Sequence, residues 1–149
     1  MKISTKGRYG IKAMLELALN NNAGHISINE IAQRQNISEN YLEQIFAALK
    51  KAGLIKSIRG SRGGYTLAME PSEISVGEIL RALEGSLAPV DCVKEENPAY
   101  CSNSQFCVTR VVWERVRDSI NNVVESITLG DLVMECRKLE NSDSCYLQT

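Results

Sequence analysis

The sequence predicts a mainly α-helical protein with one small β-hairpin. Two observations support this fold class. Apolar residues recur every three or four positions through most of the 149-residue chain, which is the spacing of a helix with one buried face. Only one pair of short stretches has strand character, and the two stretches flank a glycine-rich basic turn.

The first three helices form the front of the chain. The first is predicted over residues 5–22, where the apolar residues form one stripe. Ser27 fits the N-cap of the second helix, and Glu30 completes a capping box three residues later. Ser38 fits the N-cap of the third helix, which is expected to run to about Lys51. Two short helices joined by a few polar residues are the layout of a helix-turn-helix.

A basic hairpin follows these helices. Its strands are predicted at residues 54–58 and 64–69, and the turn between them carries Arg59 and Arg62 among glycines. Arginine at a flexible tip suits the minor groove of DNA, where a narrow groove concentrates negative potential. A helix-turn-helix followed by such a hairpin indicates a winged helix-turn-helix that binds double-stranded DNA.

The third helix offers polar side chains on the face opposite its apolar stripe. These donors and acceptors suit base edges and phosphates, although any solvated helix face looks similar. The basic hairpin is what favours DNA binding over an ordinary solvated surface. The candidate DNA-binding residues are Ser27, Ser38, Asn40, Tyr41, Glu43, Gln44, Lys51, Arg59 and Arg62.

The charge distribution agrees with a polyanionic partner for the front half. Residues 1–68 contain ten Lys and Arg but four Asp and Glu, a net charge of +6. Residues 69–149 contain seven and fourteen, a net charge of −7. The basic half is therefore expected to contact DNA, and the acidic half is not.

The back half is expected to contain three helices around a long loop. A short helix is predicted at residues 75–83, followed by an irregular, functional loop at 86–107. A long helix is expected from about residue 105 to 127, and a last short helix over 128–139. The polar tail, residues 140–149, is expected to fray.

These elements divide the chain into four parts. Residues 1–84 are the winged helix-turn-helix DNA-binding domain, 85–107 a cysteine-rich cluster-binding loop, and 108–139 the dimerisation helix with the C-terminal helix. Residues 140–149 are the tail.

The stripe of the long helix is rich in β-branched residues and needs a partner surface, either its own core or the same helix of a second subunit. We favour a homodimer, because two-fold symmetric DNA readers place two reading helices about 34 Å apart.

Three cysteines, Cys92, Cys101 and Cys107, lie within sixteen residues of the polar loop. The sequence shows no membrane-spanning stretch and no secretory signal, so we expect a cytoplasmic protein with no membrane partner and reduced thiols. Clustered thiolates there favour an iron–sulfur cluster as cofactor. Zinc would accept the same thiolates, and thiol oxidation without a metal is a third interpretation.

Several separated motifs, in order over roughly residues 1–134, resemble the Rrf2 family of bacterial winged-helix regulators. The helix around Trp113 lies between the motifs that begin at Val76 and at Leu129. The motifs are Lys2-Ile3-Ser4-Thr5-Lys6-Gly7-Arg8-Tyr9-Gly10, Tyr41-Leu42-Glu43-Gln44, Ser57-Ile58-Arg59-Gly60, Gly63-Gly64-Tyr65, Val76-Gly77-Glu78-Ile79 and Leu129-Gly130-Asp131-Leu132-Val133.

The resemblance implies a homodimer that binds operator DNA through the helices at about 28–51 and the wing. It also implies that members with three loop cysteines hold an iron–sulfur cluster. We expect a 2Fe–2S cluster in preference to 4Fe–4S, and zinc is the alternative on ligand chemistry alone. The three cysteines are similar to the IscR-like subgroup. The opening of the chain and Leu83-Glu84-Gly85 are similar to the CymR-like subgroup, whose members generally lack these cysteines.

Two departures from the IscR-like pattern concern the cluster ligands. Eight residues separate Cys92 from Cys101, where the family usually has five, and Arg110 stands where a histidine ligand is expected. His25, the single histidine, is expected to be an ordinary surface residue. The fourth ligand therefore stays open between a residue of the second subunit and Asp91, Glu95, Glu96, Cys136 or Cys145.

The sequence thus predicts a homodimeric transcription factor, expected to be a repressor, that senses iron–sulfur cluster status, or redox, nitric oxide or cysteine supply. The alternative is a winged-helix regulator of cysteine and sulfur metabolism with a structural zinc or redox thiols. A winged-helix module that does not bind DNA is a third hypothesis. An enzyme is not expected, because the chain lacks a phosphate-binding loop and a Ser/His/Asp set.

Overall fold

The structure is a computed structural model that describes residues 2–96, 98–99 and 101–141. Among these residues it contains six α-helices and one two-stranded antiparallel sheet. The helices and strands, in chain order, are α1 Thr5–Leu19, α2 Ile28–Gln35, α3 Glu39–Lys51, β1 Ile55–Ile58, β2 Gly64–Leu67, α4 Val76–Glu84, α5 Arg110–Ser126 and α6 Leu129–Glu140. Short 3₁₀ turns occupy Asn21–Ala23, Pro71–Glu73 and Asp91–Val93.

The helix-turn-helix follows the local signals of its sequence. The Ser27 side chain accepts from the Glu30 amide while the Glu30 side chain accepts from the Ser27 amide, so the expected capping box starts α2. Asn36 ends that helix in the left-handed conformation, with φ of 53°, which asparagine tolerates better than most residues. Ser38 then caps α3. The predicted boundaries of both helices are confirmed.

The wing is a hairpin with an added third segment. β1 and β2 pair from Ile55 opposite Leu67 to Ile58 opposite Gly64, as the strand pattern predicts. Ile26, in the connector between α1 and α2, also pairs with Tyr65 of β2. The wing is therefore joined to the connector that leads into the helix-turn-helix.

The core lies around α1, which packs against α2, α3, α4 and α6. Met14 and Leu17 of α1 are buried beside Phe46 of α3. Leu129 and Val133 of α6 enter the same core, so the C-terminal helix folds back onto the front of the chain. A second, smaller apolar cluster joins α4 to the C-terminal half of α5.

The long helix starts later than its sequence pattern predicts. α5 begins at Arg110, not near residue 105, so Val108 lies outside the helix and is exposed. The amide of Ser104 donates to the Cys101 carbonyl at 3.1 Å and that of Phe106 to the Asn103 carbonyl at 3.0 Å. These hydrogen bonds join residues three apart and so form β-turns, whereas the hydrogen bonds of an α-helix join residues four apart. The apolar spacing continues into the loop, but the backbone there is folded into turns.

The predicted first helix is also three residues too long. α1 ends at Leu19 with Asn20 as its C-cap, and Asn21–Ala23 form a 3₁₀ turn. Within the described residues, no helix has the length and apolar character needed to cross a bilayer.

Candidate nucleic-acid interface and cysteine loop

The α3 helix separates an apolar face from a polar face. Its buried residues contact the core, and they leave Asn40, Glu43 and Gln44 exposed on the other side. Tyr41 is half-buried, because its ring packs edge-on against Tyr9 with centroids 6.0 Å apart. These three predicted DNA-binding side chains are thus free to reach a groove, whereas Tyr41 is partly committed to packing.

Two other predicted DNA-binding residues, Ser27 and Ser38, hold the starts of α2 and α3. The Ser38 hydroxyl accepts from the Tyr41 amide at 3.3 Å. The Ser27 hydroxyl accepts from the Glu30 amide at 3.2 Å, and the backbone hydrogen bond from Ser27 lowers the pKa of the Glu30 carboxyl. Both serines therefore fix the positions of helix N-termini, which are favourable places for phosphate. Their contact with DNA stays a prediction.

A buried carboxylate supports the helix-turn-helix from below. Glu16 of α1 is 4% exposed, and its two oxygens accept from Arg34 at 3.2 Å and from Gln35 at 2.7 Å. These partners end α2, at the turn before α3. Because a buried charge needs its partners, Glu16 fixes the end of α2 against α1. The sequence signal for this contact was a charged residue next to the apolar stripe of α1.

The wing presents both of its arginines to solvent. Arg59 and Arg62 are exposed, and in the part of the chain that the structure describes neither forms an ion pair. Lys50 of α3 donates to the Ser57 hydroxyl at 2.9 Å and so ties α3 to β1. Lys51 is exposed beside it. The predicted cations of the front half thus lie on α3 and on the wing next to it.

The three loop cysteines have the right chemistry for a cluster but are not gathered in the structure. Cys92 is half-buried in the 3₁₀ turn, Cys101 is exposed, and Cys107 is half-buried shortly before α5. Within the described residues, no group of three or more His, Cys, Asp or Glu is placed to hold a metal ion. Three thiols in one loop fit the ligand preference of iron–sulfur clusters and of zinc, so binding either requires the loop to draw them together.

One of these thiols is activated by its neighbours. The Cys107 sulfur lies 3.2 Å from the Thr109 hydroxyl. That hydrogen bond, followed by one with the Arg110 backbone, lowers the pKa of the Cys107 thiol. A lowered pKa increases the thiolate fraction, which is the form that binds metals and reacts with oxidants.

Two of the fourth-ligand candidates, Asp91 and Glu95, are engaged by other side chains in the structure. Arg110, where the histidine was expected, pairs with Glu114 at 2.9 Å. Asp91 pairs with Lys94 at 2.7 Å. Cys136 is buried in α6, as expected for a helix residue, and Cys145 lies outside the described residues. His25 contacts the wing through the Arg62 carbonyl.

The first part of the cysteine loop is fastened to α5. Arg117 donates to the carbonyl of the buried Val93 at 3.0 Å. Asn121 donates to Glu95 at 2.6 Å, and this hydrogen bond lowers the pKa of that carboxyl. The Ser86 hydroxyl contacts the second Glu95 oxygen at 3.2 Å.

A polar chain continues from this attachment to α4. Arg81 of α4 donates to Asn121 at 3.2 Å and also pairs with Glu125 of α5. A cavity of about 560 Å³ lies at this junction, lined by Arg81, Gly85, Ser86, Glu95, Glu96, Asn121 and Glu125. The loop, α5 and α4 are thus joined by side-chain hydrogen bonds.

The α5 helix contains no buried residue although its sequence is rich in valine. Its C-terminal half packs Ile120 and Val124 against the cluster on α4. In its N-terminal half, Val111 and Val112 are 52% and 50% exposed, and Trp113 is exposed beside them. The protein's own core therefore covers the C-terminal part of the apolar stripe of α5, whereas the N-terminal part is uncovered in the described chain. A second subunit thus stays open as a partner for the uncovered part.

Curated proteins resemble the chain over most of its length. The family model described as Rrf2, iron-dependent transcriptional regulator, matches residues 3–135. The chain is 48% identical over 132 residues to the HTH-type transcriptional regulator CymR of Bacillus subtilis, covering 89% of each protein. It is 39% identical over 143 residues to the regulator IscR of Citrobacter koseri, covering 96% of this chain and 86% of that one.

Solved structures give the same picture. CymR, described as the global cysteine regulator of B. subtilis, superposes with a TM-score of 0.75 at 46% identity, covering 91% of this chain and 98% of that one. IscR of T. potens superposes with a TM-score of 0.73 at 48% identity, covering 91% and 88%. The predicted fold class, mainly α with a hairpin wing and a long additional helix, is confirmed.

Proposed function

This chain belongs to the Rrf2 family of transcriptional regulators, and we propose that it is a homodimeric, operator-binding regulator whose loop cysteines hold a sensory iron–sulfur cluster. It would act in the cytoplasm, where thiols stay reduced. The expectation that it is not an enzyme is confirmed by its relatives, which are transcriptional regulators. The observation that carries the proposal is a loop with three thiols, fastened to the helix that packs on the DNA-binding unit.

The DNA-binding surface in this proposal combines α3 with the wing. The exposed face of α3 is assigned to the major groove, since its Asn and Gln side chains suit base edges. Arg59 and Arg62 are assigned to the neighbouring minor groove or its phosphates. Support comes from their exposure and from the contact between Lys50 and Ser57, which keeps helix and wing in one unit.

The dimer in this proposal forms through α5. A 17-residue helix without a buried residue, half of whose apolar stripe lacks a covering element in the described chain, favours a second copy as its partner. Two-fold symmetry brings the same apolar face of each copy together. The two α3 helices can then reach two half-sites of one operator.

The proposed cluster ligands are Cys92, Cys101 and Cys107. When bound, an iron–sulfur cluster supplies an oxidant-sensitive link between these thiolates. The chain's own contribution is to provide thiolates and a loop that can rearrange. The lowered pKa of Cys107 favours its ionised form, and the exposure of Cys101 leaves it free to move towards the other two. The proposal takes a 2Fe–2S cluster in preference to 4Fe–4S, and the fourth ligand is not assigned.

Coupling to DNA in this proposal runs through the loop attachment on α5. Drawing Cys92 towards the other cysteines pulls on the turn that Arg117 holds through the Val93 carbonyl. A shift of the loop at Glu95 would also move Asn121 of α5, and through Asn121 it would reach Arg81 of α4. Only a difference in DNA affinity between the two loop states produces regulation, so the attachment must be rigid enough to transmit one.

A regulator with redox thiols or structural zinc is the second candidate. Two observations favour it: the lowered pKa of Cys107, and the similarity to CymR, whose B. subtilis structure is described as that of the global cysteine regulator. In this version Cys107 reacts with an oxidant, or zinc closes the loop permanently. Operator binding and the dimer are common to both candidates.

The deciding experiment is anaerobic purification of the untagged protein followed by iron, sulfide and zinc analysis. The proposal predicts coloured protein with iron and acid-labile sulfide in equal amounts. The triple variant Cys92→Ser, Cys101→Ser, Cys107→Ser should be colourless, whereas Ser102→Ala, at an exposed residue of the same loop, should keep the colour. Colourless wild-type protein with stoichiometric zinc, or with no metal, contradicts the cluster and favours the second candidate.

A further inference from the structure

We propose that His25 is a positioning residue that holds the tip of the wing in place for DNA. The inference deepens the proposed DNA-binding function and rests on it. His25 lies in the connector between α1 and α2, well away from the wing in sequence. Its Nε2 atom forms a hydrogen bond with the main-chain carbonyl of Arg62, 37 residues further along. Because a carbonyl oxygen only accepts, the histidine nitrogen is the donor and carries the hydrogen.

The connector is already paired with the wing next to this contact. The Ile26 amide donates to the Tyr65 carbonyl at 3.1 Å, and the Tyr65 amide donates to the Ile26 carbonyl at 2.9 Å. A Cβ atom on Gly64 would lie 2.5 Å from the Ile26 carbonyl oxygen, so only glycine permits so close an approach. The connector thus acts as a short third strand, and His25 extends its hold from β2 to the tip.

The tip is the part of the wing that needs such support. Its turn contains Gly60 with φ of 126°, and within the turn the Gly63 amide donates to the Gly60 carbonyl at 3.1 Å. Glycine-rich turns have high conformational entropy, which is lost when the tip becomes ordered on DNA. A contact that orders the turn beforehand reduces this loss and keeps Arg59 and Arg62 directed at the duplex.

The histidine contact acts on the backbone and not on the arginine side chains. Its acceptor is the Arg62 carbonyl, which is present whatever side chain stands at that position. His25 lies two residues before Ser27, the N-cap of α2. His25 therefore belongs to a junction between the wing and the N-terminus of α2. Sequence reasoning treated it as an ordinary surface residue, because its partner is distant in the chain.

Amide hydrogen exchange of the free protein, followed by NMR, tests the contact without DNA. His25→Ala should speed exchange at the Gly63 amide about fivefold, the effect of losing one ordinary hydrogen bond. His25→Gln keeps an N–H donor at nearly the same reach and should restore slow exchange. Arg62→Ala is the matched control, since it keeps the carbonyl and should leave exchange unchanged. Equal exchange in wild type and His25→Ala overturns the proposal.

Binding to a duplex selected by the wild-type protein from a random-sequence library tests the consequence. His25→Ala should weaken binding several-fold, and His25→Gln should recover most of it. If His25→Ala alters exchange but binds this duplex as tightly as wild type, the contact does not position the wing for DNA and the inference is wrong. If wild-type protein selects no duplex, the proposed DNA-binding function fails, while the exchange result still decides whether His25 holds the tip.

Discussion

The two phenylalanines of the chain lie in two regions that differ in how tightly they are packed. Phe46 on α3 is fully buried and packs against Tyr65 of the wing with ring centroids 4.8 Å apart. Phe106 in the cysteine loop is 85% exposed. The winged helix-turn-helix has a closely packed core, whereas the later part of the cysteine loop leaves the Phe106 ring and the Cys101 thiol exposed. Such a loop can change its structure at little cost to the fold.

The largest expected difference between the regions is in stability. Phe46→Ala should lower the free energy of unfolding by about 3–5 kcal/mol, because it leaves a cavity in the core. Phe106→Ala should change it by no more than about 0.5 kcal/mol, since the side chain is solvated already. Urea unfolding followed by circular dichroism measures both. Similar losses for the two variants would show that the loop is packed as firmly as the core.

The second difference concerns DNA. Arg59→Ala and Arg62→Ala should each weaken binding and reduce the slope of log affinity against log salt by about two per dimer, since each arginine is assigned about one phosphate contact in each of the two subunits. Arg137→Ala, on the exposed surface of α6, serves as the control. Fluorescence anisotropy over a range of salt concentrations gives the slopes. An unchanged slope for both wing variants would remove the wing from the interface.

A third, smaller effect is expected inside the loop. Thr109→Val keeps the side-chain shape but removes the hydroxyl that lowers the pKa of the Cys107 thiol. The pH midpoint of Cys107 alkylation in metal-free protein should therefore move upward. Cys101 in the same sample provides an internal reference, and mass spectrometry follows both rates. If the midpoint for Cys107 does not move, Thr109 does not activate it.

The smallest expected effect is a similar dependence of stability on pH in the two regions. Glu30 in the helix-turn-helix and Glu95 in the loop both have a lowered pKa, Glu30 through a Ser27 backbone hydrogen bond and Glu95 through Asn121. Because the folded-state pKa lies below the unfolded one, each contributes stability above the unfolded pKa, about 4.3, that is lost as pH falls through the folded pKa.

Replacing either carboxyl by an amide should flatten this acid dependence. Glu30→Gln keeps the capping geometry and removes only the charge, and Glu95→Gln does the same in the loop. Urea midpoints measured between pH 6 and pH 3 should converge for each variant and wild type at the acid end. A constant offset across that range would mean that the carboxylate charge is not the source of the stability.

Sequence reasoning predicted the front of the chain well because its signals are local. The capping box at Ser27, the N-cap at Ser38 and the glycine-rich turn each act within a few residues. The contacts of Glu16 with Arg34 and of His25 with Arg62 were missed, because they join residues far apart in sequence. No periodicity encodes such a pair.

The loop was harder to predict for a different physical reason. Its apolar spacing continues that of α5, so the start of the helix was placed about five residues too early. Hydrogen-bonded turns from Cys101 to Phe106 decide the boundary, and spacing does not reveal them. The assignments of Cys92, Cys101 and Cys107 as ligands remain predictions, because the positions of ligands around a cluster depend on the cluster as well as on the chain.

The most direct test compares DNA affinity in the wild type and in the triple variant Cys92→Ser, Cys101→Ser, Cys107→Ser, both purified and assayed without oxygen. Fluorescence anisotropy on one selected duplex at fixed salt gives both dissociation constants. If a cluster in the loop is coupled to the winged helix, the two constants should differ by about five- to 150-fold, the usual range of coupling between sites. Equal affinities, with iron and sulfide present only in the wild type, would contradict that coupling.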